Sequence, residues 1–89
     1  MTNMTKEELI MIFCDKMHDE LHDIEEDAKL HRELEEAGMT REAEMIEAFA
    51  SDEYTHAKGY RTMLARHGHK LSEEAVARWE KVEELFEWS

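Results

Sequence analysis

Two residues with the chemistry to bind a metal ion, Glu53 and His56, interrupt an apolar pattern that otherwise follows helical spacing. Phe49, Ala50 and Ala57 lie on the same helix face, where positions three apart are neighbours. A carboxylate on a buried face costs several kcal/mol unless it is protonated, paired or bound to a cation. The spacing therefore predicts a metal site, and a hydrogen-bonded Glu–His pair inside the protein is the plainer alternative.

A carboxylate from the preceding helix is needed to complete such a site, because di-iron and di-manganese bundles combine Glu-x-x-His with a lone glutamate from a facing helix. If the chain reverses direction at Gly38, the residue level with Glu53 is Glu25. Ala28 follows one turn after Glu25 and leaves room for an ion. We expect Glu25 as this ligand, with Glu20, on the opposite flank of the apolar stripe, as the alternative.

The elements that would position these residues are three helices in one domain that spans 1–89. The helices are predicted over residues 5–37, 41–67 and 72–87. Thr5 and Glu8 form a capping box at the first helix, and Gly38 supplies a left-handed end to it. Thr40 and Ser72 are the expected N-caps of the second and third helices.

The fold class expected from these elements is all-α, a long antiparallel helical hairpin with a short third helix. The absence of proline and the three glycines among 89 residues favour helix throughout. One short helix cannot cover the apolar face of two long ones, and a chain of this size has a small core. We therefore expect two hairpins to pair into a four-helix bundle, as a homodimer or a larger homo-oligomer.

Two segments of the sequence resemble the rubrerythrin/ferritin-like superfamily. They read Ile24-Glu25-Glu26-Asp27-Ala28 and Phe49-Ala50-Ser51-Asp52-Glu53-Tyr54-Thr55-His56-Ala57. The chain is similar to encapsulin-associated ferritins in having a single hairpin, which in that group completes its metal site by dimerising. The spacing from Glu25 to Glu53 is two residues shorter than the usual 30, whereas Glu20 lies 33 residues before Glu53.

The resemblance implies Glu25, Glu53 and His56 as ligands, duplicated by a second subunit. It implies a di-iron site with two ions per dimer, with manganese or zinc as alternatives, and iron oxidation, iron storage or peroxide scavenging as the function. Storage or buffering of iron without turnover is a weaker version of the same hypothesis.

The net charge of the chain limits the classes of molecule that it is expected to bind. Acidic residues outnumber basic residues 23 to 11, which gives a net charge of −12, so the chain attracts cations and repels nucleic acid and anionic membranes. No apolar run approaches the roughly 20 residues of a membrane span, and we expect a cytoplasmic protein. The competing hypothesis is a non-enzymatic binding module that holds a protein partner through its acidic faces or through Trp79, Phe86 and Trp88.

Overall fold

The computed structural model describes residues 3–88, which form three α-helices and no β-strand. The helices are α1 (Lys6–Glu36), α2 (Thr40–Arg66) and α3 (Glu73–Glu83). The expected all-α fold with a long helical hairpin is confirmed. Residues 1, 2 and 89 of the expected domain lie outside the described residues.

Most helix ends have the predicted chemistry. The Thr5 hydroxyl accepts a hydrogen bond from the Glu8 amide at 3.1 Å, and the Glu8 carboxylate accepts one from the Thr5 amide at 3.1 Å. The Ser72 hydroxyl accepts from the Ala75 amide, also at 3.1 Å. Gly38 has a φ of 76°, the left-handed conformation expected after α1.

The predicted cap of α2 is wrong. Thr40 is already the first helical residue, and Met39 occupies the N-cap position without a side-chain hydrogen bond. The turn is short because the Met39 amide donates to the Leu34 carbonyl at 2.8 Å, which closes the end of α1 and leads directly into α2.

The hairpin packs along a line of small residues. The buried residues of α2 recur every seven positions: Ala43, Ala50, Ala57 and Leu64. They meet a stripe on α1 made of Met17, Leu21, Ile24 and Ala28. Alanines at this spacing let the two backbones approach closely, so larger side chains are displaced to the flanks. Phe49, expected on the buried face, is consequently 48% exposed.

The third helix is held on one flank of the hairpin by its buried face. Trp79 is 2% exposed and packs with Met17, Leu64 and Val82 in the core. Its indole N–H donates a hydrogen bond to Met17 Sδ at 3.3 Å. This contact gives the indole nitrogen a partner that a buried tryptophan requires.

The chain turns away from the helix axis after Glu83, so the expected helix over 72–87 is too long. The turn lets Phe86 pack edge-on against His31, with 5.4 Å between ring centroids. Trp88 stacks on Tyr54 at 4.2 Å. Aromatic packing against the hairpin therefore takes the place of the last predicted helical turn.

The burial of Trp79 corrects one further expectation, that Trp79, Phe86 and Trp88 form an exposed partner surface. Trp79 belongs to the core, and Phe86 and Trp88 are half-buried against it. Across the described residues, no helix is both long and apolar enough to span a membrane.

Candidate metal centre

Four carboxylates from the two long helices meet at the middle of the hairpin. They are Glu20, Asp23 and Asp27 of α1 and Glu53 of α2, and we call them the acidic cluster. One oxygen from each of Glu20, Asp23 and Glu53 lies within 4.8 Å of the other two. Asp27 follows Asp23 by one turn, and its carboxyl group is hydrogen-bonded to that of Glu53.

Helix geometry places the acidic cluster on the flank away from α3. At 100° per residue, Glu20 and Asp27 lie about 70–90° to one side of the buried α1 stripe, whereas Glu25 lies about 70° to the other. Glu25 contacts Arg78 of α3, which identifies its flank as the covered one. We call the opposite flank the open face.

The open face also carries large exposed apolar side chains. By the same helical geometry they are Leu9 of α1 and Met45, Phe49 and Met63 of α2. Met45 is 57% exposed and Phe49 is 48% exposed. An exposed apolar surface around a group of polar residues is typical of an interaction site.

The environment of Glu53 strongly favours its protonated form. Burial, the hydrogen bond to Asp27 and the negative charges of Asp27, Asp23 and Glu20 raise the pKa of Glu53 from 4.5 to about 8. Among the described residues, no lysine or arginine nitrogen lies within 4.0 Å of the acidic cluster. The cluster therefore lacks a close permanent cation of its own.

Asp27 Oδ2 and Glu53 Oε2 are buried, and apart from the contact between these two carboxyl groups they have no hydrogen-bond partner in the described part of the chain. A buried polar atom without a partner is costly, so such atoms mark positions where a ligand could supply the missing interaction. Carboxylate oxygens with a neighbouring imidazole are a donor set that suits Mn²⁺, Fe²⁺ and Zn²⁺. The residues present thus fit a divalent cation.

His56 lies at the edge of the cluster. Its Nδ1 is 3.5 Å from Glu20 Oε1, and its side chain is 60% exposed. The two predicted α2 residues, Glu53 and His56, are therefore both next to Glu20, the alternative first-helix ligand. An imidazole at this edge is free to turn toward an ion or toward a second chain.

Glu25 lies on the other flank of α1, where it is hydrogen-bonded to Arg78 of α3. Arg78 Nη2 donates to Glu25 Oε1 at 2.7 Å and Arg78 Nε donates to Glu25 Oε2 at 3.4 Å. These hydrogen bonds keep the pKa of Glu25 below its ordinary value, against the opposing effect of burial. The structure thus brings Glu20, rather than Glu25, to Glu53, because Arg78 of α3 engages the Glu25 carboxylate on the other flank.

Asp23 and Asp27 are members of the acidic cluster that were not predicted from the sequence. Asp23 lies 30 residues before Glu53, but the predicted ligand pattern has a glutamate on the first helix. Asp27 had no comparable signal, since its role depends on which flank of α1 faces Glu53. Comparisons of this chain with protein-family models, with curated proteins and with solved structures found no match.

Proposed function

We propose that this protein binds divalent metal ions at the acidic cluster and His56, and that a second copy of the chain completes the site across the open face. The observation that carries the proposal is the convergence of Glu20, Asp23 and Glu53, with one oxygen of each within 4.8 Å of the other two, in a cluster without a close basic residue. A divalent cation binds these carboxylate oxygens and compensates the negative charge of the cluster.

The ligands proposed from one chain are Glu20, Asp23 and Glu53, with His56 as a nitrogen donor. Glu53 gives up its proton when the cation binds, because the same oxygens accept either one. Glu20 and Glu53 are half-buried and Asp23 is exposed, so a cation reaches the cluster directly from solvent. The net charge of −12 raises the local concentration of cations around the chain.

Pairing with a second copy follows from the apolar residues beside the cluster. Two open faces brought together bury Phe49, Met45 and Leu9, which a single chain leaves in water. The result is a four-helix bundle with the metal ligands of both chains in its centre. The repulsion between two acidic clusters is offset by the bound cations.

Iron is the ion we propose as the natural substrate, following the ferritin-like resemblance. Iron(II) held by these carboxylates and His56 would supply electrons for the reduction of dioxygen or peroxide and would itself be oxidised to iron(III). In this chain, Glu20, Asp23 and Glu53 bind the incoming ion, and the apolar residues of the open face exclude bulk water. Iron oxidation, peroxide scavenging or storage are the activities that this arrangement supports.

The test is the iron content of the protein after anaerobic loading with iron(II) and desalting, measured together with its mass in solution. We expect at least one iron per chain in a dimer or larger oligomer, and a loss of iron in Glu53→Gln and His56→Ala. Failure of the folded wild-type protein to retain iron(II), Mn²⁺ or Zn²⁺ would overturn the proposal.

A matched pair of variants identifies the first-helix ligand. Glu20→Gln should lower the retained iron as Glu53→Gln does, whereas Glu25→Gln should retain it and change only the contact with Arg78. The reverse result would restore Glu25 as the ligand and would require Arg78 to release it on metal binding.

A further inference from the structure

We infer that His31 is a pH-sensitive switch, which holds the end of the chain against the hairpin while its imidazole is charged and releases it when the imidazole is neutral. The part that is held is residues 84–88, which follow α3 and which we call the C-terminal segment. The inference goes beyond the proposed function and does not rest on it, because the carboxylates that pair with His31 are not among the proposed metal ligands.

His31 lies between the two long helices and contacts a carboxylate on each. It continues the seven-residue spacing of the buried α1 stripe, and its side chain is 14% exposed. Its Nε2 lies 2.9 Å from Glu47 Oε1 of α2, and its Nδ1 lies 3.2 Å from Glu35 Oε1 of α1. Asp27, one turn before His31, is hydrogen-bonded within the acidic cluster instead. Only the charged imidazolium has an N–H at both ring nitrogens, so loss of its proton leaves one carboxylate facing a lone pair.

The C-terminal segment packs directly on the His31 ring. Phe86 meets the imidazole edge-on with 5.4 Å between ring centroids, and Phe86 also contacts Trp88 at 5.4 Å. Trp88 in turn stacks on Tyr54 of α2. A charged group of the hairpin is therefore in contact with the aromatic rings that hold the segment in place.

The charges around this contact make it depend on the proton of His31. A surface cavity lies between the hairpin and the C-terminal segment, with Glu44 and Glu47 on the hairpin side and Glu84 and Glu87 on the segment side. Among the described residues that line the cavity, His31 is the only one that can carry a positive charge. The imidazolium offsets part of the repulsion between the glutamates. Without its charge, two pairs of carboxylates of like sign face each other across the cavity.

Release of the C-terminal segment changes the surface of the chain. Phe86 and Trp88 are half-buried while the segment is packed on the hairpin, and its release exposes both rings to water. Histidine is the side chain whose charge ordinarily changes between about pH 5 and pH 8. The chain therefore presents this aromatic surface at the upper end of that range and covers it at the lower end.

Acrylamide quenching of tryptophan fluorescence, measured with a chelator present, tests the inference in the full-length chain. Trp79 is buried in the core, and the signal of Trp88→Phe gives its share, so the remainder reports Trp88. We expect the quenching constant of Trp88 to rise about twofold or more from pH 5 to pH 9, as His31 loses its charge. His31→Gln, neutral at both pH values, should show the high value throughout. His31→Lys, charged at both, should show the low value. Circular dichroism checks that each variant is folded.

The matched control is His67→Gln, since His67 is an exposed histidine at the end of α2, and it should keep the wild-type rise. A second test needs no substitution. In about 1 M sodium chloride, where the screening length is about 3 Å, the rise in the wild type should shrink because the glutamates repel each other less. Quenching of the wild type that does not change between pH 5 and pH 9 would overturn the switch. So would a rise that persists in His31→Gln, that is lost in His67→Gln, or that salt leaves unchanged. Metal binding is measured separately by the iron content, so these results leave the proposed function to its own test.

Discussion

At the scale of single residues, the acidic cluster changes the pKa of Glu53 most strongly. Its carboxyl group faces three others, and burial and these charges raise its pKa to about 8. Glu25, on the other flank of α1, has its pKa lowered by its hydrogen bonds to Arg78. The Glu25 carboxylate therefore has a cationic partner, whereas the Glu53 carboxyl group faces only other carboxyl groups.

The raised pKa of Glu53 predicts how the stability of the metal-free protein depends on pH. Because the folded state holds the proton more tightly than the unfolded chain, this contribution is fully present below pH 4.5. It is lost as the pH rises from 4.5 to about 8. Urea unfolding with a chelator should show this decline, and Glu53→Gln should remove most of it.

The control for this experiment is Asp52→Asn, since Asp52 is exposed and adjacent to Glu53 in sequence. It should keep the wild-type decline between pH 4.5 and 8. A Glu53→Gln profile that parallels the wild type would show that the pKa of Glu53 is not raised.

At the scale of the helices, local sequence signals determine where most elements begin and end. Gly38 and Gly59 illustrate the difference between a turn and a helix interior. Gly38 has a φ of 76°, a conformation that side chains with Cβ disfavour, although no atom would contact an added Cβ. Gly59 lies inside α2 with open space around it.

The two glycines therefore predict opposite effects of the same substitution. Gly38→Ala should lower the free energy of unfolding by about 1 kcal/mol because of its left-handed backbone. Gly59→Ala should raise it by about 0.5–1 kcal/mol because alanine favours helix. Denaturant unfolding of the two variants measures both changes, and a stabilised Gly38→Ala would contradict the described turn.

Much of the fold could be predicted from the sequence, because capping boxes, glycines and apolar spacing act locally. Thr5, Gly38 and Ser72 mark real helix ends. The first-helix residue beside Glu53 could not be predicted in the same way, since Glu20 and Glu25 lie at similar angles from the apolar stripe. The choice depends on the flank that α3 covers and on the contact between Arg78 and Glu25, both of which are long-range.

At the scale of the whole molecule, the chain has two unlike flanks. One is covered by α3 and its aromatic residues, and the other exposes apolar side chains around the acidic cluster. The principal extents of 50 × 31 × 19 Å describe a flat molecule, about two helix diameters thick. A second flat molecule placed on the open face would form the proposed bundle.

The proposed pairing predicts the mass in solution and its response to one substitution. The metal-loaded protein should have at least twice the 10.6 kDa mass of the chain by light scattering. Phe49→Glu should weaken the association about tenfold or more, because it places a charge at the centre of the apolar contact. Val76→Glu, at an exposed position of α3, should leave the mass unchanged. A monomer under all metal conditions would contradict the pairing.

The central claim, that a divalent cation binds at Glu53, is tested most directly by counting the protons released when Mn²⁺ binds. Calorimetric titrations at pH 7 in two buffers of different ionisation enthalpy give this number. With a pKa of about 8, Glu53 carries its proton at pH 7, so we expect about one proton released per chain. The release should shrink at pH 9 and disappear in Glu53→Gln. Binding of Mn²⁺ that is unchanged in Glu53→Gln, or no binding at all, would contradict the account.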